Sequence, residues 1–435
     1  VEVADLSGQI ETGHPRTVAG RLSSGWGWSA AFSRLLLYCA VSSVGWVAMD
    51  AFLTPFLRDS GVPVVAIGVF HGMSAAIGAP AGVIGGIVAD RWGRRIAMAL
   101  GGGIRILGWL LVLLTADASY LTVVACMLGI GWASSSAYMA LIAETAPRGR
   151  RAFGFAVTGV VENVMSMLVP LITGVLADRL GLRTALLMAL VPGVLAVVMV
   201  RWLEETGGRH PHIRNGEAVD APDAPGQPAT AASAGIRFML SPAGRGSLLM
   251  GLIWMMTGFQ FAVIGPAKPL YVADRFGVSY AGLGMVTMVG AVGMIFGQLL
   301  GGRIADRIGQ SRLMAMCVAS SGAMHLLLPV APSVSMYAGL LVLANFVGWT
   351  AAPCWGAVSA NSTPRDVRGS VTGLYTAMRA IGTATGGALF GFVYARGIAL
   401  PFYVMALGEL AVLILVLLGS RRAFAGFGKG LVHDD

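Results

Sequence analysis

Charge is what this chain lacks. Asp, Glu, Lys and Arg make up 12% of its 435 residues, about half the share of a soluble globular domain. A chain so poor in charge cannot cover a water-facing surface of its own size, and apolar residues take 56% of the positions. Cysteine is scarce too. Cys39, Cys126, Cys317 and Cys354 all fall within apolar runs and share no CxxC spacing, which argues against a disulfide framework or a thiolate metal site. There is no Walker phosphate loop, no nucleophile elbow and no metal-ligand cluster. An enzyme, a built-in ATPase and a cofactor are therefore not expected. The first 28 residues are polar and lack the basic and apolar regions of a secretory signal peptide. They read as a cytoplasmic tail.

What is abundant is long apolar sequence. Runs long enough to cross ~30 Å of hydrocarbon recur throughout. Twelve spans can be drawn, at about 29–57, 64–89, 96–115, 119–143, 152–177, 184–202, 246–272, 279–304, 312–331, 334–360, 370–394 and 400–420. Lipid offers backbone groups no water, so each span is expected to be a helix. The 61 glycines suit close helix–helix contact in lipid. Residues 203–245 are rich in Gly, Pro, Ala and charge and read as a mobile cytoplasmic linker, with Ile236–Leu240 as a short interfacial helix. The expectation is an all-α membrane protein: a tail at 1–28, a six-helix bundle at 29–202, the linker at 203–245, a second six-helix bundle at 246–420, and a cytoplasmic tail at 421–435.

The net charge of +9 invites a nucleic-acid partner, but its distribution points to a bilayer. With the N-terminus inside, Arg58, Arg179, Arg183, Arg275 and Arg396 fall outside, and Arg105, Lys268 and Arg379 fall within spans. That leaves 22 of the 30 basic residues on the cytoplasmic side, facing anionic headgroups. Both termini are expected in the cytoplasm, and a bacterial inner membrane is the expected location.

One charged, glycine-bearing turn recurs. Gly85-Gly86-Ile-Val-Ala-Asp90-Arg91-Trp-Gly93-Arg94-Arg95 lies between spans two and three. Gly301-Gly302-Arg-Ile-Ala-Asp306-Arg307-Ile-Gly309-Gln-Ser-Arg312 lies between spans eight and nine. A weaker copy runs from Gly174 through Asp178 and Gly181 to Arg183, and a decayed fourth from Gly391 to Gly397. Gly86 and Gly302 are 216 residues apart; Trp132 and Trp349, like Pro147 and Pro364, are 217 apart. The second half repeats the first. Within each half, successive turns are separated by three spans, an odd number that inverts topology. Each bundle is therefore expected to be two inverted three-helix repeats, the arrangement of alternating-access transporters.

In these residues the chain resembles the major facilitator superfamily, over essentially its whole length. Two copies of Gly-xxx-Asp-Arg-x-Gly in equivalent loops of a six-plus-six chain carry the resemblance. It implies that Gly86, Asp90, Arg91, Gly93, Arg94 and Arg95, with Gly302, Asp306, Arg307, Gly309 and Arg312, form cytoplasmic latches engaged when the outer side is open. Asp90 can face a helix N-terminus and pair with an Arg. The bland alternative is that these residues only enforce topology. Among subfamilies the likeness is to proton-coupled drug and metabolite exporters. Span five keeps Val169-Pro170-Leu-Ile-Thr-Gly174 of their glycine-proline motif, without its leading glycines, and their early Arg in span four is absent. The resemblance also places spans one, four, seven and ten around the cavity, spans two, five, eight and eleven between the halves, and the rest outside.

Ionisable groups inside spans are costly and usually functional. A carboxylate in an apolar cavity can take up and release protons near neutral pH, so Asp50 and Glu162 are the candidates for proton coupling. Asp50 alternatively pairs permanently or meets water at the outer mouth. Glu162 and Arg379 occupy equivalent positions, 217 apart, on spans five and eleven. They read either as a proton carrier with an Arg that binds an anionic group or holds Glu162 ionised, or as a structural ion pair or separate local pairs. Lys268, between Pro266 and Pro269, suggests a broken, gating helix; snorkelling to the interface is the alternative. Arg105 snorkels or reaches inward, and His71 shares a proton with Asp50 or is structural. His325 and Glu409, on outer spans, are assigned no role. Trp132, Tyr138, Asn345, Trp349, Trp355 and Gln260 are candidates to wall a pocket for a partly apolar substrate, or are ordinary packing. The expected function is proton-coupled export of a small organic molecule by a monomer. Carriage of an organic or phosphorylated anion, with Arg379, Lys268 and Arg105 as candidate ligands, is a second reading. A non-transporting receptor or scaffold is a third.

Overall fold

The structure is a computed structural model, which describes residues 29–115, 118–146, 151–205, 228–364 and 367–422. The tail expected at 1–28, residues 206–227 of the linker expected at 203–245, and residues 423–435 of the tail expected at 421–435 lie outside the described residues, as does Pro147. Twelve helical spans are present. The first half holds Ala30–Asp59, Val64–Trp92, Arg94–Thr115, the pair Leu121–Gly131 and Ala133–Thr145, Arg151–Leu180, and Leu182–Met199. The second holds Arg245–Phe276, Tyr280–Ile308, Gln310–Leu327, the pair Val334–Thr350 and Ala352–Asn361, Arg368–Arg396, and Leu400–Arg422. Eleven are long and apolar enough to cross a membrane. The remaining one, Arg368–Arg396, is 29 residues long, or about 44 Å. Its Gly, Thr and Ser content and Arg379 lower its hydropathy rather than its reach.

Two spans depart from simple helices. Span four breaks at Trp132 and span ten at Ala351, near-equivalent places in the repeat. Span ten has Pro353 just past its break. Span four has no proline, and there a side chain from span three takes up the backbone group that the break releases: Arg105 Nη2 donates to the Gly131 carbonyl at 2.7 Å. Span seven, by contrast, runs unbroken from Arg245 to Phe276 through Pro266 and Pro269. The expected break is not there, because neighbouring helices can hold a proline-bearing membrane helix together. The linker ends in a helix, Pro228–Leu240, that includes the expected segment Ile236–Leu240 and packs Gly235 on Ser370 of span eleven.

The recurring turn has one geometry in three places. Spans two, five and eight end at Gly93, Gly181 and Gly309, with φ of 107°, 84° and 89°. Each glycine N–H donates to the carbonyl four residues back, on Ala89, Ala177 and Ala305. Positive φ is what glycine supplies here. Gly397 has instead an extended φ of 174°, so the fourth copy has lost the geometry as well as the sequence.

The halves meet through spans two and eleven and through spans five and eight. Both seams are built on glycine. A Cβ on Gly68 would stand 2.6 Å from Gly391 N, and one on Gly72 would stand 2.6 Å from Ala388 N. Gly68/Gly72 and Gly387/Gly391 are thus two GxxxG pairs facing each other. In the other seam a Cβ on Gly174 would meet Tyr280 O at 2.2 Å, and one on Gly284 would meet Pro170 O at 2.3 Å. All of these lie toward one end of the molecule, opposite the end that carries the two–three and eight–nine turns. Toward that basic end the glycines turn to their own halves: Gly85 packs on Ala133, and Gly293, Gly297 and Gly301 pack on span ten.

Candidate functional site

The residues that sequence reasoning singled out separate into three places. The first is a cavity of about 150 Å³ inside the N-terminal half, lined from spans one, three, four, five and six. Span one presents Tyr38, Ser42 and Trp46 to it. Asp50, exposed, is the next residue on that four-residue stripe. Trp109, Trp132 and Tyr138 complete an aromatic wall. The Tyr38 and Tyr138 rings are 6.1 Å apart.

Two charged groups face this cavity. Glu162 Oε1 accepts from Tyr138 Oη at 3.1 Å and from Cys39 Sγ at 3.8 Å. Arg105 lies 5.5 Å over the Trp132 ring while its Nη2 holds Gly131 O and reaches Ser134 Oγ at 3.4 Å. The span-four break turns Trp132 and the Ser134–Ser135 pair toward the cavity, and Arg105 fixes that break. Arg105 therefore reaches inward rather than snorkelling. A space of this size holds about one benzene-sized ring, so a larger ligand must extend past Trp132, whose side is open.

The second place is the far side. Arg379 is exposed and stacks 5.5 Å from the Trp254 ring, whose Nε1 donates to Ser359 Oγ at 3.0 Å. Among the described residues Glu162 and Arg379 form no ion pair with each other. Three candidates are committed to packing. Gln260 is 2% exposed and donates to Met405 O of span twelve, turned away from the interface. Asn345 donates to Gly290 O of span eight at 2.9 Å. Trp355 packs against the core of the C-terminal half. Trp349 is half-buried on span ten next to its break. Lys268 is half-buried on span seven. His71 Nε2 is 3.0 Å from Thr54 Oγ1 and makes no hydrogen bond to Asp50 among the described residues.

The third place is the two ends. At the basic end the first turn is tied to its own half. Arg94 pairs with Asp90 and with Glu144 of span four, the latter at 3.0 Å. Glu205 caps span three, accepting from Arg94 N at 2.7 Å and Arg95 N at 3.1 Å, an anion at a helix N-terminus. At the opposite end the contacts cross between halves. Asp178, in the third copy of the turn, accepts from Tyr280 N at 2.9 Å and Ala281 N at 3.0 Å, the start of span eight. The Tyr280 hydroxyl donates to Asp59, and Arg58 pairs with Asp274, which also accepts from Tyr394 Oη at 2.7 Å. Asn163 Nδ2 donates to Gln298 at 2.8 Å nearer mid-membrane. Sequence reasoning missed Tyr38, Trp46, Trp109 and the facing GxxxG pairs. Regular glycine spacing on spans two and eleven was the available signal for the last.

Two six-helix halves with glycine seams, and an aromatic cavity holding two charged groups within a lipid-embedded body, define a membrane transporter. The sequence profile described as Major Facilitator Superfamily matches residues 35–259 and 250–430. The chain belongs to that superfamily. It is similar to the enterobactin exporter EntS of Escherichia coli O1:K1 / APEC, 28% identical over 358 residues, covering 78% of this chain and 81% of the relative. The same figures hold for the exporter of Escherichia coli O45:K1 (strain S88 / ExPEC). Among solved structures it superimposes on a POT family transporter in complex with 5-aminolevulinic acid, with a TM-score of 0.72 and 12% identity over 92% of this chain and 97% of that one. The human organic anion transporter MFSD10 (TETRAN) gives 0.62 and 19% identity over 89% of this chain and 98% of that one. These structural likenesses show the fold.

Proposed function

We propose that the chain exports a small organic molecule bearing at least one ring, in exchange for protons, from the cytoplasm across a bacterial inner membrane. The basic end is the cytoplasmic one, both termini lie on that side, and the protein works as a monomer. The arrangement with cross-half contacts at the opposite end is then the inward-facing state. Its counterpart closes the basic end through the turns at 85–95 and 301–312. The similarity to enterobactin exporters supports the direction.

One observation carries the coupling: Glu162 faces an aromatic cavity with two hydrogen-bond donors and no cation paired to it among the described residues. A carboxylate so placed is costly as a bare anion. Cycling between protonated and ligand-bound forms relieves that cost, and Asp50, farther along the same face of span one, offers a second stop toward the opposite end. The test is reconstitution in vesicles with an imposed pH gradient and a panel of ring-bearing polar solutes, enterobactin included. Glu162→Gln is expected to abolish gradient-driven flux while exchange at equal pH survives. Unchanged gradient-driven flux in both Glu162→Gln and Asp50→Asn overturns the reading.

Arg379 favours a second reading. It is exposed and has no carboxylate partner among the described residues. If the cargo is an anion, Arg379→Gln weakens binding of anionic solutes and leaves neutral ones unaffected.

A further inference from the structure

The C-terminal half holds a second set of ionisable side chains, one buried and one half-buried, away from the cavity. Glu409 of span twelve accepts at Oε1 from Ser321 Oγ of span nine at 3.0 Å. The Ser321 carbonyl is 2.9 Å from His325 Nδ1, one turn further on. Gly322 leaves room for the Glu409 stem: a Cβ there would stand 3.2 Å from Glu409 Cβ. His325 is 4% exposed, and its Nε2 has no hydrogen-bond partner among the described residues. Lys268, half-buried, lies on span seven, which packs against span twelve. Of the other titratable groups on the packed helices, Tyr271 of span seven and Tyr337 of span ten stack on each other, and Arg379 of span eleven lies over Trp254.

Packing alone does not account for this set. Buried polar groups are normally fully partnered, and ionisable ones in lipid-embedded helices mark function. Here the imidazole N–H at Nδ1 meets a carbonyl, which leaves Nε2 as a bare base. The carboxylate receives one hydroxyl donor. Two proton acceptors on different spans are thus tied to one residue, Ser321, through its hydroxyl and its carbonyl.

We propose that Glu409, Ser321 and His325 form a proton-binding site in the C-terminal half, separate from the Glu162 cavity. The acceptor is the Glu409 carboxylate. Hydronium gives its proton to a Glu409 oxygen and leaves as water, while the Ser321 hydroxyl remains a donor to Oε1. His325 Nε2 is the alternate resting place. The site rests on the proton-coupled reading of the transporter and adds a second proton position to it, across the interface from Glu162.

Infrared titration of the full chain in lipid vesicles tests this without a substrate. The wild type is expected to show a protonated-carboxyl band that is lost as pH rises. Glu409→Gln removes it, and Glu162→Gln leaves it in place while removing a different band. Ser321→Ala keeps the carboxyl but shifts its band, since the hydrogen bond to Oε1 is gone. That variant serves if Glu409→Gln fails to fold. A titrating band that survives Glu409→Gln unchanged and is indifferent to Ser321→Ala overturns the site. So does a Glu409 band that does not respond to pH. If Glu162→Gln still removes its own titrating band in that case, the coupling reading stands without this site; if neither carboxyl titrates, both fall.

Discussion

Replacing Gly72 by alanine should open the end of the protein that is closed here. The Cβ would stand 2.6 Å from Ala388 N and 2.7 Å from Ala384 O, both backbone atoms of span eleven. Backbone cannot rotate aside, so spans two and eleven must separate by roughly 1 Å to recover van der Waals distance. Overpacking of this kind costs about 1–3 kcal/mol. The cost falls on the state in which these two spans touch at this end, and the reverse state is spared. A differential of that size moves a two-state population by about 5- to 150-fold. Distances between spin labels at Ser60→Cys and Pro332→Cys, one on each half at this end, would lengthen in Gly72→Ala, on a background with Cys126 replaced by serine. Gly103→Ala is the control, because nothing lies within 4 Å of the added methyl. A label distribution that Gly72→Ala leaves unchanged, in protein that still folds, refutes the idea that the glycine seam stabilises one state selectively.

Other expectations follow from the same contacts. Asp178→Asn removes the anion that caps span eight. It should shift the same label distances in the same direction by less than Gly72→Ala, and added salt should mimic part of the effect in the wild type. Arg105→Gln leaves Gly131 O without its charged donor; thermal stability should fall by about 1–3 kcal/mol, and ring-bearing solutes should bind more weakly by fluorescence quenching of the cavity tryptophans. Gln260→Leu should lower the melting temperature while gradient-driven flux per folded molecule stays at the wild-type level, since Gln260 faces span twelve. Flux that rises as the outside is made more acid, and that falls to the equal-pH rate in Glu162→Gln, is the pH dependence expected of proton exchange.

The architecture was legible because hydropathy and repetition are properties of single spans. Twelve apolar runs and a turn repeated at a near-constant interval need no knowledge of what touches what. The candidate site was less legible because it depends on which face of each helix turns inward. Gln260 sits on a span expected to line the cavity, yet it faces span twelve. Arg105 sits on a span expected to lie outside, yet its guanidinium reaches the break in span four. That break has no proline to announce it, so neither the exposed Trp132 nor its partner was readable as a unit. Glu162 and Arg379 are equivalent by spacing, but their neighbours are not: tyrosine and cysteine hold the first, tryptophan the second. Repeat symmetry fixes where a residue lies along a helix. It does not fix what the other half has kept opposite it.

The turns make the same point about function. Copies ending at Gly93, Gly181 and Gly309 share a helix end, a positive φ and an aspartate three residues before the glycine. Their aspartates do different things. Asp90 pairs within its own half, whereas Asp178 holds the first N–H groups of a helix from the other half. Identical local geometry thus serves a contact within one half at one end and a contact between halves at the other. If the protein exchanges its two ends, Asp178 must release Tyr280 and Ala281 while a basic-end copy takes up the equivalent contact, so the two turns should trade roles in a single step. A double variant, Asp90→Asn with Asp178→Asn, is then expected to leave the resting population of the two states nearer to the wild-type value than either single variant does, because each state loses one cap. Additive displacement in one direction would mean that the first turn has no latch function in this chain.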